Sequence, residues 1–138
     1  MSRWEAWCVH LANLLVGGSG LIYAWLRYLA APADPLALVH PWQPAAQHAH
    51  LLTAPLLVFA VGLLWRGHVW LGFRLGTPAR RRSGTALLAL AAPMIASGYL
   101  LQVAVEPDWR RGWLAIHLVA SGLWIAGTIA HQLGPRRG

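Results

Sequence analysis

The sequence predicts an all-α protein, a transmembrane four-helix bundle with both termini cytoplasmic, and three observations carry that expectation. Of 138 residues, 57% are hydrophobic and only 11% charged, a membrane composition. Four long apolar segments, 6–29, 49–66, 84–105 and 113–133, each come close to the ~20 residues that a helix needs to cross a bilayer. The basic residues gather in the connections between them, where a membrane chain keeps its charge. A chain of this length holds about one domain, so 1–138 reads as a single integral-membrane domain with no room for a soluble one.

The first segment starts basic, runs apolar and ends in LAAPA, which imitates a secretory leader with its cleavage site. Its apolar run is longer than a leader's core, so it is expected to remain as the first span. Along it His10, Asn13, Gly17 and Gly20 recur at spacings of three, four and three and share one helix face. The glycines either clear space beside His10 or let a second helix pack closely. Residues 30–47 hold prolines at 32, 35, 41 and 44 and read as a loop.

The second segment begins with His48 and His50, which lie roughly 200° apart round a helix, so one of them at most faces a given partner. His50, the deeper, is the expected one. The connection 67–83 is polar, glycine-punctuated and basic, and carries His68; His40 and His68 read first as connector residues at the interface. The third segment holds no histidine and no acid until Glu106. The fourth carries His117 and His131, fourteen residues apart, a rise of about 21 Å and close to four full turns. Both therefore occupy one face, with Ser121, Trp124 and Thr128 between them. No internal repeat is visible in the sequence.

With the N-terminus inside, eight arginines (3, 66, 74, 80, 81, 82, 136 and 137) fall on the inner side and three (27, 110 and 111) outside. That asymmetry follows the positive-inside rule. Asp34, Glu106 and Asp108 fall outside, and eight of nine tryptophans lie near span ends, as an aromatic belt requires. All eleven basic residues are arginines, most of them in connections and none arranged in a stripe, so no nucleic-acid partner is expected despite a pI near 11.4. Cys8 is the only cysteine, so there is no internal disulfide and no CxxCH for covalent haem.

Metal chemistry therefore falls to histidine. An ionisable side chain inside a span is costly and marks function by default. By depth, His50 lies level with His117 near the outer surface, and His10 level with His131 near the inner. Two imidazoles facing one another at each of two depths suit bis-histidine haem, whose iron takes one axial ligand from each side. A closed zinc site would want four ligands in one cavity, and a proton relay would want buried acids, which these spans lack.

On His10, His50, His117 and His131, on the fourteen-residue separation within the fourth segment, and on a histidine-free third segment, the chain resembles the four-helix b-type cytochrome membrane subunits of formate dehydrogenases (the gamma subunit) and nickel-iron hydrogenases, within the prokaryotic cytochrome b561-like group. The resemblance covers nearly the whole chain. It implies two haems b whose iron is ligated by His10, His50, His117 and His131, in an electron-transfer subunit of a quinone-linked oxidoreductase of the bacterial inner membrane. The redox partner would be a periplasmic dehydrogenase or a c-type cytochrome. Two haems roughly 20 Å apart, from the helix rise, would form a path across the bilayer. Arg110 and Arg111 outside, and Arg3, Arg82 or Arg136 inside, would meet haem propionates or simply anchor the topology. The resemblance places the quinone beside the inner haem, where Asn13, His68 and the Trp65–Trp70 stretch offer polar groups against aromatic surface. Two alternatives stand beside this one: a cofactor-free structural subunit whose histidines bridge helices, and a metal or substrate transporter with histidines along its path.

The arginine asymmetry makes a direct prediction. Single cysteines placed in 67–83 of a cysteine-free variant should be labelled from the cytoplasmic side only, and labelling from the periplasm would overturn the assigned orientation.

Overall fold

The computed structural model describes residues 2–32, 34, 36–75 and 78–133. Among these there is helix and turn and no strand. α1 spans Arg3–Tyr28, α2 Gln43–Leu64, α3 Leu71–Leu75, α4 Pro78–Val103 and α5 Pro107–Leu133, with a π-helical turn, Trp65–Trp70, joining α2 to α3.

Each boundary has a local cause. The Ser2 hydroxyl accepts from the Glu5 N–H at 3.2 Å while the Glu5 carboxylate accepts from the Ser2 N–H at 2.6 Å, a capping box that starts α1 three residues ahead of the apolar run. α1 ends where the N–H groups of Leu29 and Ala30 both return to the Trp25 carbonyl, just ahead of Pro32. α2 begins at Gln43, six residues before the expected start, because Pro44 falls in the first turn, where its missing N–H would have had no partner anyway. Proline 44 therefore opens a helix instead of closing a loop. α5 likewise begins at Pro107 rather than 113, with the Asp108 carboxylate near its positive end and paired to Arg111 one turn on.

The largest departure from the sequence reading is 67–83. Helix continues through the π turn to Leu75 and resumes at Pro78, so most of the expected connection is helical. The turn Trp65–Trp70 widens the helix by one residue per hydrogen bond, a geometry that recurs at functional positions. Beyond it the Arg74 guanidinium lies over the Trp70 ring, 4.6 Å from its centre.

The chain divides into two compact units, Met1–Gly67 and His68–Gly138. In the first, α1 packs antiparallel against α2; in the second, α4 packs antiparallel against α5 and α3 against α4. The buried residues are mostly small: Ala12 and Ala60 with Leu26 and Leu57 in the first unit, Ala91, Met94, Ser97, Ala120 and Trp124 in the second. The large apolar side chains point outward, with Leu14, Leu52, Phe59, Val119 and Ile129 all more than half exposed. Apolar surface so extensive is unfavourable in water and suits lipid tails. Four helices, Arg3–Tyr28, Gln43–Leu64, Arg81–Val103 and Pro107–Leu133, are long and apolar enough to cross a membrane. Pro55 and Pro93 lie inside two of them, as membrane helices tolerate. The Thr53 hydroxyl donates to Ala49 at 2.8 Å, and that of Ser97 to Pro93 at 2.6 Å.

Among the described residues one buried hydroxyl stands apart: Thr128 Oγ1 has no hydrogen-bond partner. An unsatisfied buried hydroxyl costs about 1–3 kcal/mol. Thr128→Val, which keeps the shape and removes the donor, should therefore leave thermal stability in detergent unchanged or raise it. A fall of more than about 1 kcal/mol would show that the hydroxyl is satisfied.

Candidate functional site

Three imidazoles meet a serine on a neighbouring helix, and two of them also meet a backbone carbonyl. In the first hairpin, His50 crosses from α2 to the face of α1 that presents Val16, Ser19 and Gly20. Its Nδ1 lies 3.2 Å from the Val16 carbonyl oxygen and 3.4 Å from Ser19 Oγ. The Ser19 hydroxyl in turn bonds the Val16 carbonyl at 3.1 Å and contacts Thr53 Oγ1 at 3.2 Å. A Cβ on Gly20 would lie 2.9 Å from the ring's Cε1, closer than real side chains approach, so only glycine lets the ring reach the backbone. Of the two roles open to the α1 glycines, Gly20 thus serves close packing, and the group that packs is His50. Gly18 faces nothing within 4 Å.

The second hairpin repeats the arrangement. His117 Nδ1 lies 3.0 Å from the Met94 carbonyl oxygen and 3.3 Å from Ser97 Oγ, and Ser97 bonds the Met94 carbonyl at 3.1 Å. A Cβ on Gly98 would come within 3.2 Å of the His117 Cε1. Seven residues beyond each histidine, on the same helix face, the residue is buried: Leu57 after His50 and Trp124 after His117. The two hairpins share the pattern Val16-x-x-Ser19-Gly20 and Met94-x-x-Ser97-Gly98, a short internal repeat that the sequence reading passed over. Its signal was the Ser-Gly step, which follows four of the five serines.

The chemistry of these contacts is specific. A carbonyl only accepts, so the Nδ1 of His50 and of His117 must carry the proton, and the lone pair sits on Nε2. That is the tautomer in which metal-bound histidines are held, with the far ring nitrogen donating to a carbonyl.

At the other end of the second hairpin, His131 Nδ1 lies 2.7 Å from Ser83 Oγ, and a Cβ on Gly84 would stand 3.8 Å from its Cε1. The His68 ring meets His131 edge-on, with centres 6.4 Å apart and planes at 81°. His68, read first as a connector, is thus half-buried in the π turn beside a span histidine. His10 lies exposed on α1, and its neighbour Asn13 turns its amide along the same helix to the Val9 carbonyl at 3.0 Å. His48 is exposed on α2, whereas His50 is half-buried against α1. His40 sits in the loop and accepts from the Trp42 N–H at 3.3 Å.

Of the arginines expected outside, Arg110 donates to the Leu101 carbonyl at 2.8 Å near the end of α4, and Arg111 pairs with Asp108. Arg3 and Arg82 are exposed, and Arg136 lies outside the described residues. Among the described residues no three His, Cys, Asp or Glu side chains gather as a closed metal site requires. Each expected ligand pair, His50 with His117 and His10 with His131, draws one member from each hairpin. What a hairpin supplies by itself is the orientation of its own imidazole.

The glycine contacts predict a graded result. Gly20→Ala should push the His50 ring off its carbonyl and cost about 1–3 kcal/mol through overpacking, and Gly98→Ala, whose Cβ asks the His117 ring to give by less, should cost less than Gly20→Ala. Gly18→Ala, on an open part of the same helix, should be neutral or stabilise by up to ~1 kcal/mol through helix propensity. Thermal unfolding of the three variants in detergent checks the order, and a Gly98→Ala protein as stable as Gly18→Ala would contradict the tight seat.

No family model, no curated protein and no solved structure matches this chain.

Proposed function

We propose that the chain is a membrane b-type cytochrome subunit that carries electrons across the membrane between the quinone pool and a redox partner. The observation that carries this reading is the Nδ1–carbonyl hydrogen bond made by His50 and again by His117. It holds both rings in the tautomer that coordinates iron through Nε2, and it does so within helices apolar enough to span a bilayer. Two haems b, held without covalent attachment, would supply one-electron chemistry. His50 and His117 would be the axial ligands of the outer haem, and His10 and His131 those of the inner.

The chain's own part is to orient the rings. The buried, unsatisfied Thr128 hydroxyl shares the face of His117 and His131 and is a donor suited to a polar edge of a bound group. Near the inner end, His68 lies against His131, within the stretch proposed with Asn13 for the quinone. An imidazole there is suited to exchanging a proton with a quinone near neutral pH. The partner in this reading is a periplasmic dehydrogenase or c-type cytochrome, and the membrane is the bacterial inner membrane.

A second reading is favoured by the same hydrogen bonds. They tie α1 to α2 and α4 to α5 directly, as a cofactor-free structural subunit of a larger complex would need. The reduced-minus-oxidised spectrum of the purified protein separates the two, since b-type bands support the cytochrome and their absence supports the structural subunit. Given haem, His117→Ala should remove one of two haem equivalents and His131→Ala the other. Retention of two six-coordinate haems in both variants would refute the ligand assignment.

A further inference from the structure

α4 contributes no histidine, yet it carries two Ser-Gly steps, Ser83–Gly84 and Ser97–Gly98, fourteen residues apart. His117 and His131 on α5 are also fourteen apart, and the helices run antiparallel, so one step stands opposite each histidine. At both levels the serine hydroxyl is within hydrogen-bonding distance of Nδ1, and the following glycine has no Cβ in the ring's way.

We infer that α4 is the positioning helix of this subunit: Ser83 and the Met94–Gly98 turn seat His131 and His117 separately, so that each seat sets the electron affinity of the haem its own histidine ligates. The inference rests on the electron-transfer reading above. The two seats work by different means. At His117 the carbonyl of Met94 is the nearer acceptor at 3.0 Å, and Gly98 allows an approach that a methyl would tighten to 3.2 Å, so steric access governs this seat. At His131 the Ser83 hydroxyl is the near partner at 2.7 Å, while a Cβ on Gly84 would make ordinary contact at 3.8 Å, so the hydrogen bond governs. With the hydroxyl accepting, the proton stays on Nδ1 and Nε2 becomes the stronger donor, which favours ferric iron. Removing the acceptor favours ferrous iron and raises the midpoint potential. Ser83 and Gly98 touch ligands and not the reacting iron, so they are positioning residues.

The test is a spectroelectrochemical titration of the full chain and of Ser83→Ala, Ser83→Thr, Gly98→Ala and Gly84→Ala, with each haem identified from the single-haem spectra of His117→Ala and His131→Ala. Ser83→Ala should raise the potential of the His131 haem by about tenfold in its ferrous-to-ferric ratio, ~59 mV for one electron, or lose that haem, and leave the other unmoved. Ser83→Thr, which keeps the hydroxyl, should restore the wild-type value. Gly98→Ala should shift only the His117 haem, and Gly84→Ala neither. A wild-type protein without b-type bands overturns the electron-transfer reading and this inference together. Two intact haems whose potentials ignore Ser83→Ala and Gly98→Ala, or move equally in both variants, overturn this inference alone.

Discussion

A polar ring set into an apolar helix pair must be satisfied by the pair itself. In hydrocarbon an unbonded imidazole N–H or backbone group costs several kcal/mol, and no water is at hand to take its place. The arrangement of both hairpins follows from meeting that demand. His50 and His117 each return their Nδ1 proton to a carbonyl of the facing helix, and a serine hydroxyl one turn along supports the same carbonyl. The ring reaches that carbonyl only where the helix surface is cut back to glycine.

This requirement also shapes the packing around it. Helices that must come close enough for an imidazole to touch a backbone have little space between them for large side chains. The buried positions are accordingly held by alanine, serine and a few larger residues, while leucine, isoleucine and phenylalanine face outward. That inversion of the soluble pattern fits a lipid surround, where apolar residues outside cost nothing and close contact rather than apolar burial holds helices together. Pro55 and Pro93 are accommodated within the same pairs, inside α2 and α4.

Much of the fold was legible in the residues. Four apolar runs near span length located four long helices, because length and hydropathy are what lipid demands of a spanning segment. The ends were less legible. Pro44 looked like a loop residue and Pro107 lay ahead of its apolar run, but a proline in a first turn gives up nothing, so each helix starts earlier than its apolar run. The stretch 67–83 looked too polar and glycine-rich for helix, and it is largely helical because helix continues from α2 to Leu75, as propagation favours, and α4 starts at Pro78, where a proline gives up nothing.

The sequence by itself determined the count and placement of long helices, the absence of an internal disulfide or a CxxCH motif, and the common face of His117 and His131, since a fourteen-residue interval leaves a helix no other phase. Only the tertiary structure decided what each histidine touches. That Ser19, Ser83 and Ser97 stand opposite His50, His131 and His117 depends on the antiparallel register of α1 on α2 and of α4 on α5. Register is set by which small residues let two backbones approach, a property of two surfaces in contact that neither segment carries alone. The Ser-Gly steps were in plain view as letters, and they became seats for imidazoles only once a second helix lay against them.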